Sequence, residues 1–79
     1  MAIEVRLFTT LREYLPPGSV DGVYHYEPEG KEIVRDLVNR LNLPFPQVHL
    51  IIINGEQGSL DSEIKDGDRI GFFPPVGGG

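Results

Sequence analysis

Lys65-Asp66-Gly67-Asp68-Arg69-Ile70-Gly71-Phe72-Phe73-Pro74-Pro75 reads as a turn, a strand and a stop. Gly67 supplies the positive φ that the turn requires. Arg69 to Phe73 is the last strand of the chain. The two prolines end it, because neither has a backbone N–H with which to extend a ladder except at a sheet edge. They also hold the chain extended. The neighbour that this strand takes decides the fold, and the rest of the chain supplies the candidates.

Ile3, Val5 and Leu7 alternate with Glu4 and Arg6, which predicts a half-buried strand over roughly residues 2–9. Thr10 caps a short turn, Leu11 to Leu15, that Pro16-Pro17-Gly18 ends. Val and Tyr in residues 22–27 suit a second strand. Ile33, Val34, Leu37, Val38 and Leu41 recur at helical spacing, with Glu32, Arg35, Asp36, Asn39 and Arg40 opposite. The pattern predicts an amphipathic helix over residues 31–42. Lys31 and Glu32 are poor caps for its start, and Pro44 and Pro46 end it. Phe45 is either a core plug or an exposed contact. Val48 to Ile53 is an apolar, β-branched strand, and Asn54-Gly55 is a tight-turn signal. Residues 56–60 form a short return strand or an irregular crossing. Asp61 caps a helical turn reaching Ile64.

This order predicts an α+β layer pair, a mixed sheet of four to five strands with one main helix packed across it. First and last strands paired in parallel at the centre give a ubiquitin-like β-grasp. Residues 1–73 are the domain, and residues 74–79 a flexible C-terminal tail.

A chain of 79 residues is one small domain, with a core that has little surplus. It has no cysteine, which excludes disulfides, thiolate metal clips and a cysteine nucleophile and fits a reducing, cytoplasmic setting. No apolar stretch approaches a membrane span, and residues 1–10 lack a signal-peptide core. Net charge is −5, from 12 acidic and 7 basic side chains. Nucleic acid, which needs clustered Lys and Arg, is not an expected partner; a positively charged protein is.

Beyond the prolines stand Val76, Gly77, Gly78 and Gly79. Extended, residues 74–79 reach roughly 20 Å from the domain. Gly78 and Gly79 have no side chain to obstruct a narrow cleft. The useful group of such a tail is its own carboxylate, ionised in the cell with a pKa of ~3.5. The bland alternative is a linker or a frayed end.

Four segments carry a family resemblance. Leu11-Arg12-Glu13, Ile51-Ile52-Ile53-Asn54-Gly55, Lys65 to Ile70 and Phe73 to Gly79 resemble, in order, the conserved stretches of the MoaD/ThiS sulfur-carrier family. The Leu-Arg-Glu segment and the Pro-Pro pair make the chain more similar to the small subunit of molybdopterin synthase than to the thiamine carrier. The helix start departs from the pattern, lacking the usual Thr. The resemblance implies that a ubiquitin-activating-type adenylating enzyme, using ATP and magnesium, adenylates Gly79. It implies that a persulfide donor then leaves a thiocarboxylate there. The tail, with Pro75, Val76, Gly77 and Gly78 threading a partner cleft, would give its sulfur to a pterin precursor in a larger MoaE-like synthase subunit. The chain is then a carrier rather than an enzyme, and binds no cofactor stably. Alternatives are a thiamine-type or other sulfur carrier, a protein modifier forming isopeptide conjugates, and an inert β-grasp interaction module.

Strand alternation adds a site of its own. With Ile3, Val5 and Leu7 facing the helix, Phe8 points to the other side of the sheet, and Phe73 likewise if Ile70 and Phe72 face inward. Leu50 and Ile52 join them. Phe8, Leu50, Ile52, Phe73 and Pro75 are expected to form an apolar docking patch for the partner. His25 and His49 are too few for a metal site. Asp61, Glu63, Asp66 and Asp68 lack the spacing of a calcium loop and read as turns and a cap.

Overall fold

The computed structural model describes residues 2–75. Strands β1 (Ile3–Leu7), β2 (Val23–Tyr26), β3 (Leu50–Ile53), β4 (Glu56–Gln57) and β5 (Arg69–Phe73) form one sheet in the order β2-β1-β5-β3-β4. β1 and β5 pair in parallel at its centre, Val5 beside Ile70 and Leu7 beside Phe72. All other pairs are antiparallel. A parallel pair needs a long crossover, and here nearly the whole chain supplies it. Helix α1 (Val34–Arg40) lies across one face. This is the mixed-sheet β-grasp arrangement expected from the order of elements.

The inward residues of each strand build the core. Ile3, Val5, Leu7, Ile70 and Phe72 are at most 2% exposed, and Val34, Leu37 and Val38 of α1 are fully buried. Ile51, Leu11, Leu41, Leu43 and Tyr26 complete it.

α1 is shorter at both ends than the apolar spacing predicts. At its start, residues 32–35 spend their backbone groups on the segment before β5. Ile33 bridges Glu63, the Ile64 N–H donates to the Glu32 carbonyl, and the Val34 and Arg35 N–H groups donate to the carbonyls of Ser62 and Leu60. The orphan donors of the first turn are thus satisfied by main-chain carbonyls. The Asp36 carboxylate adds one reverse bond, accepting from the Ile33 N–H at 3.0 Å. The end is set before the prolines. Asn42, at φ 57°, takes the left-handed position, and Leu43 N–H reaches the Val38 carbonyl. This is a Schellman ending with Asn in the place of Gly.

Three local expectations are corrected. Thr10 is not a cap: a 3-10 helix, Thr9–Tyr14, follows Phe8, and no side chain caps it. Asp61 is not a cap either. Ser59 and Ser62 close a turn there, the Ser62 hydroxyl accepting from the Ser59 N–H, while Asp61 pairs with Arg35 at 3.1 Å on the surface. Glu32, placed on the polar helix face by periodicity, is only 8% exposed. Its carboxylate accepts from the Tyr26 hydroxyl at 2.7 and 2.9 Å and from the Glu29 N–H at 2.8 Å.

The Arg40 guanidinium lies 5.3 Å from the Tyr26 ring centre, a cation–π contact. Burial first, then the hydrogen bond and charge of Glu32, push the Tyr26 hydroxyl from 10.0 up to about 12, with Arg40 opposing. The folded value exceeds the unfolded one. The protonated tyrosine therefore stabilises the fold fully below pH 10.0, and that contribution is lost as pH rises through about 12. Thermal melts across this range are expected to show a steeper loss of stability in the wild type than in Tyr26→Phe. At neutral pH the same substitution removes the carboxylate's closest donor and is expected to cost about 1–3 kcal/mol. Parallel pH profiles would overturn the assignment.

Asn54 (φ 51°) and Gly55 (φ 85°) make the tight turn between β3 and β4, both positive as a type I′ hairpin requires. The Asn54 side chain then ties this hairpin to β5. Its amide nitrogen donates to Asp68 Oδ1 at 2.8 Å, and its oxygen accepts from the Arg69 N–H at 2.9 Å. Asp68, 8% exposed, also accepts from the Lys65 N–H at 2.7 Å. Of the acidic group read from the sequence, Asp68 is therefore a buried turn carboxylate.

Candidate functional site

Strand β5 aims the chain end. Phe72 O accepts from the Phe8 N–H on one side, and Phe73 O accepts from the His49 N–H at 3.0 Å on the other. The strand is held from the β1 side up to Phe72 and from the β3 side up to its last residue, Phe73. Pro74, without an N–H, ends the ladder there. Pro74 is half-buried and Pro75 exposed. Val76, Gly77, Gly78 and Gly79 lie outside the described residues.

The face of the sheet opposite α1 carries the remaining expected residues. Phe8 and Phe73 stack with ring centres 4.2 Å apart and planes 3° from parallel. Leu50 pairs with Phe73 across β3 and β5, and Ile52 with Gly71. Phe8, Leu50, Ile52 and Phe73 are each half-buried. The structure thus brings the four together beside the tail root, with Pro75 at the edge. An apolar notch of about 460 Å³ opens between Thr9, Thr10, His49, Leu50, Phe73 and Pro75.

Three residues of this face were not singled out from the sequence. Gly71 is one. A Cβ built on it would meet Phe8 Cε2 at 3.2 Å and Phe73 Cε1 at 3.5 Å, so the missing side chain lets the stacked rings lie close to the strand. A glycine inside a strand signals such a close approach, and that signal was present. Gly71→Val is expected to lift the Phe8 ring and abolish the ring-current shifts of the pair in NMR spectra, while the fold persists. Unaltered shifts would remove the role given to Gly71.

Arg6 and Arg69 are the other two. They border a second groove of about 350 Å³ beside the aromatic pair. No motif pointed to them, because they meet only through the parallel register of β1 and β5. Of the histidines, His25 and His49 are both exposed. Among the described residues no group of three or more His, Cys, Asp and Glu could hold a metal ion. No described helix is long and apolar enough to cross a membrane. Phe45, left open between core and surface, is 39% exposed.

Comparisons with known proteins agree with this geometry. The family model described as Mut7-C ubiquitin matches residues 1–77. No curated protein matches the chain. Among solved structures, SAMP1 (small archaeal modifier protein 1) from Haloferax volcanii is 27% identical, with all of both chains covered and a TM-score of 0.71. A putative molybdopterin converting factor, subunit 1, from Pyrococcus furiosus is 27% identical over 95% of this chain and 98% of its own, at a TM-score of 0.70. The complex of subunits 1 and 2 of the molybdopterin-converting factor from Helicobacter pylori gives 25% identity, 100% coverage of both chains and a TM-score of 0.63.

Proposed function

Because the chain belongs to the Mut7-C ubiquitin family, a MoaD/ThiS-like relation borne out by its structural neighbours, we propose that it is a sulfur carrier in molybdopterin synthesis, working through Gly79. A carboxylate oxygen of Gly79 attacks the α-phosphorus of ATP, and pyrophosphate leaves. The acyl-adenylate so formed is open to a persulfide sulfur, which attacks the carbonyl carbon as AMP departs. A second thiol then cleaves the S–S bond and releases the thiocarboxylate. ATP, magnesium, the adenylating enzyme and the persulfide donor come from outside the chain. The domain contributes placement: it holds β5 to its last residue and presents the aromatic pair beside the tail root, in a cytoplasmic setting.

The observation that carries this reading is the Phe8–Phe73 stack at the root of the tail. A half-buried aromatic platform on the open face of the sheet, next to a glycine-rich end, suits a body that docks while its tail threads a cleft. The neighbour complex of two molybdopterin-converting factor subunits supports a larger, MoaE-like partner for that platform. The test is intact-mass measurement after incubation with the adenylating enzyme of the same organism, ATP, magnesium and a persulfide donor, and then with the larger synthase subunit and a pterin precursor. One oxygen exchanged for sulfur, followed by transfer to a pterin precursor, is expected. Sulfur accepted but never passed to a pterin would overturn the molybdopterin assignment, and no modification at all would overturn the carrier.

SAMP1 among the neighbours favours a second reading, a modifier joined to lysine side chains through Gly79. Branched conjugates in the cell, absent when Gly79 is deleted, would establish it.

A further inference from the structure

The chain is acidic overall, at net charge −5, and its total charge points to a basic partner. The outer sheet face has a different local balance. Arg6 stands beside Gly71 on β5, and Arg69 beside Glu4 on β1. The two arginines therefore occupy diagonal positions on the two central strands and point to the same face, since each is an even number of residues from an outward phenylalanine. The groove next to the aromatic pair is lined by both arginines, Ile52, Asn54, Gly71 and the two phenylalanines among others, and no carboxylate lines it.

Their pairing is incomplete. Arg6 approaches Glu4 at 3.5 Å, with half of the Arg6 side chain still exposed. Arg69 is exposed, and among the described residues its guanidinium has no ion-pair or hydrogen-bond partner. A guanidinium that needs planar acceptors, set at the edge of an apolar platform, is suited to a carboxylate that arrives with an apolar neighbour. Of the other carboxylates, Glu32 and Asp36 lie on the α1 side, and Asp68 is locked in the turn by Asn54 and Lys65.

We propose that Arg6 and Arg69 read carboxylate side chains on the adenylating enzyme as it docks on the Phe8–Phe73 platform, so that the surface received there is acidic and apolar although the chain itself is acidic. This rests on the carrier reading, in which that platform docks. The charges set encounter and register, and the rings supply most of the contact. Attraction between exposed charges also weakens as salt shortens the screening length.

The test uses the adenylating enzyme of the same organism as the probe, with dissociation constants measured for the full chain at low and high salt. Arg6→Glu/Arg69→Glu is expected to raise Kd at least tenfold at low salt, with the difference shrinking at high salt. Arg6→Gln/Arg69→Gln is expected to show a smaller loss with the same salt trend. Both sites are exposed, and a melting scan verifies the fold of each variant. Unchanged binding of a folded variant overturns the inference. Tighter binding of the glutamate variant does so too, and identifies a basic partner. If the wild type neither binds the enzyme nor gains sulfur, the carrier reading falls and takes this inference with it; if the wild type does both, only the charge assignment is at stake.

Discussion

Deletion of Gly79 is expected to abolish adenylation and sulfur loading while leaving the melting transition unchanged. The sheet ends at Phe73, and Pro74 carries no N–H with which to extend it. The core lies wholly among residues 3–72, so removing the last residue costs the described fold no core contact. What changes is position. The chain loses one residue of reach, at most about 3.6 Å, and displacements of ~1 Å at a reacting centre already cost about a hundredfold. Pyrophosphate exchange and intact mass measure the loss. A truncated chain that is still activated would end the assignment of Gly79 as the reactive group.

The second large effect is a contrast between neighbours. Phe72 is 0% exposed and faces α1; Phe73 faces the other way and stacks on Phe8. Phe72→Ala is expected to cost ~3–5 kcal/mol through lost burial and the cavity left behind. Against a total stability of about 5–15 kcal/mol, and in a core with little redundancy, that removes a large share of the stability and is expected to lower the melting temperature sharply. Phe73→Asp removes an aromatic pair worth roughly 0.5–1.5 kcal/mol beyond its area, and its carboxylate points to solvent. The fold is expected to survive. Partner binding is expected to fall about thirtyfold or more, the scale of a hot-spot loss of ~2 kcal/mol. Circular dichroism and calorimetric titration separate the two. Intact affinity in a folded Phe73→Asp chain would show that the platform is not the docking surface.

Several readings were available from residue order alone because their causes are local. Alternation of Ile3, Val5 and Leu7, and of Ile70 and Phe72, assigns each strand's buried face, since successive side chains must project to opposite sides. The same rule placed Phe8 and Phe73 on the outer face together. Asn54-Gly55 and Gly67 mark positive-φ positions, and all three adopt them. Other features depend on groups distant in sequence. Glu32 has the spacing of a solvent-facing helical residue, but the Tyr26 hydroxyl and Glu29 N–H draw it inward. The start of α1 slides to Val34 because Ser62 and Leu60 provide acceptors for its first donors. Periodicity cannot register either effect.

By itself the sequence determined that β1, β3, β5 and the main helix form, which face of β1 and β5 is buried, and where β5 must stop, because backbone sterics and side-chain alternation act over a few residues. Only the tertiary structure decided that β1 and β5 lie side by side in parallel, and with that everything depending on their register. The stacking of Phe8 on Phe73, the close passage over Gly71 and the placing of Arg6 and Arg69 along one groove all follow from it. The physical reason is that a parallel pair is joined through a long crossover, whose closure no local preference encodes and only the packing of the complete core can repay.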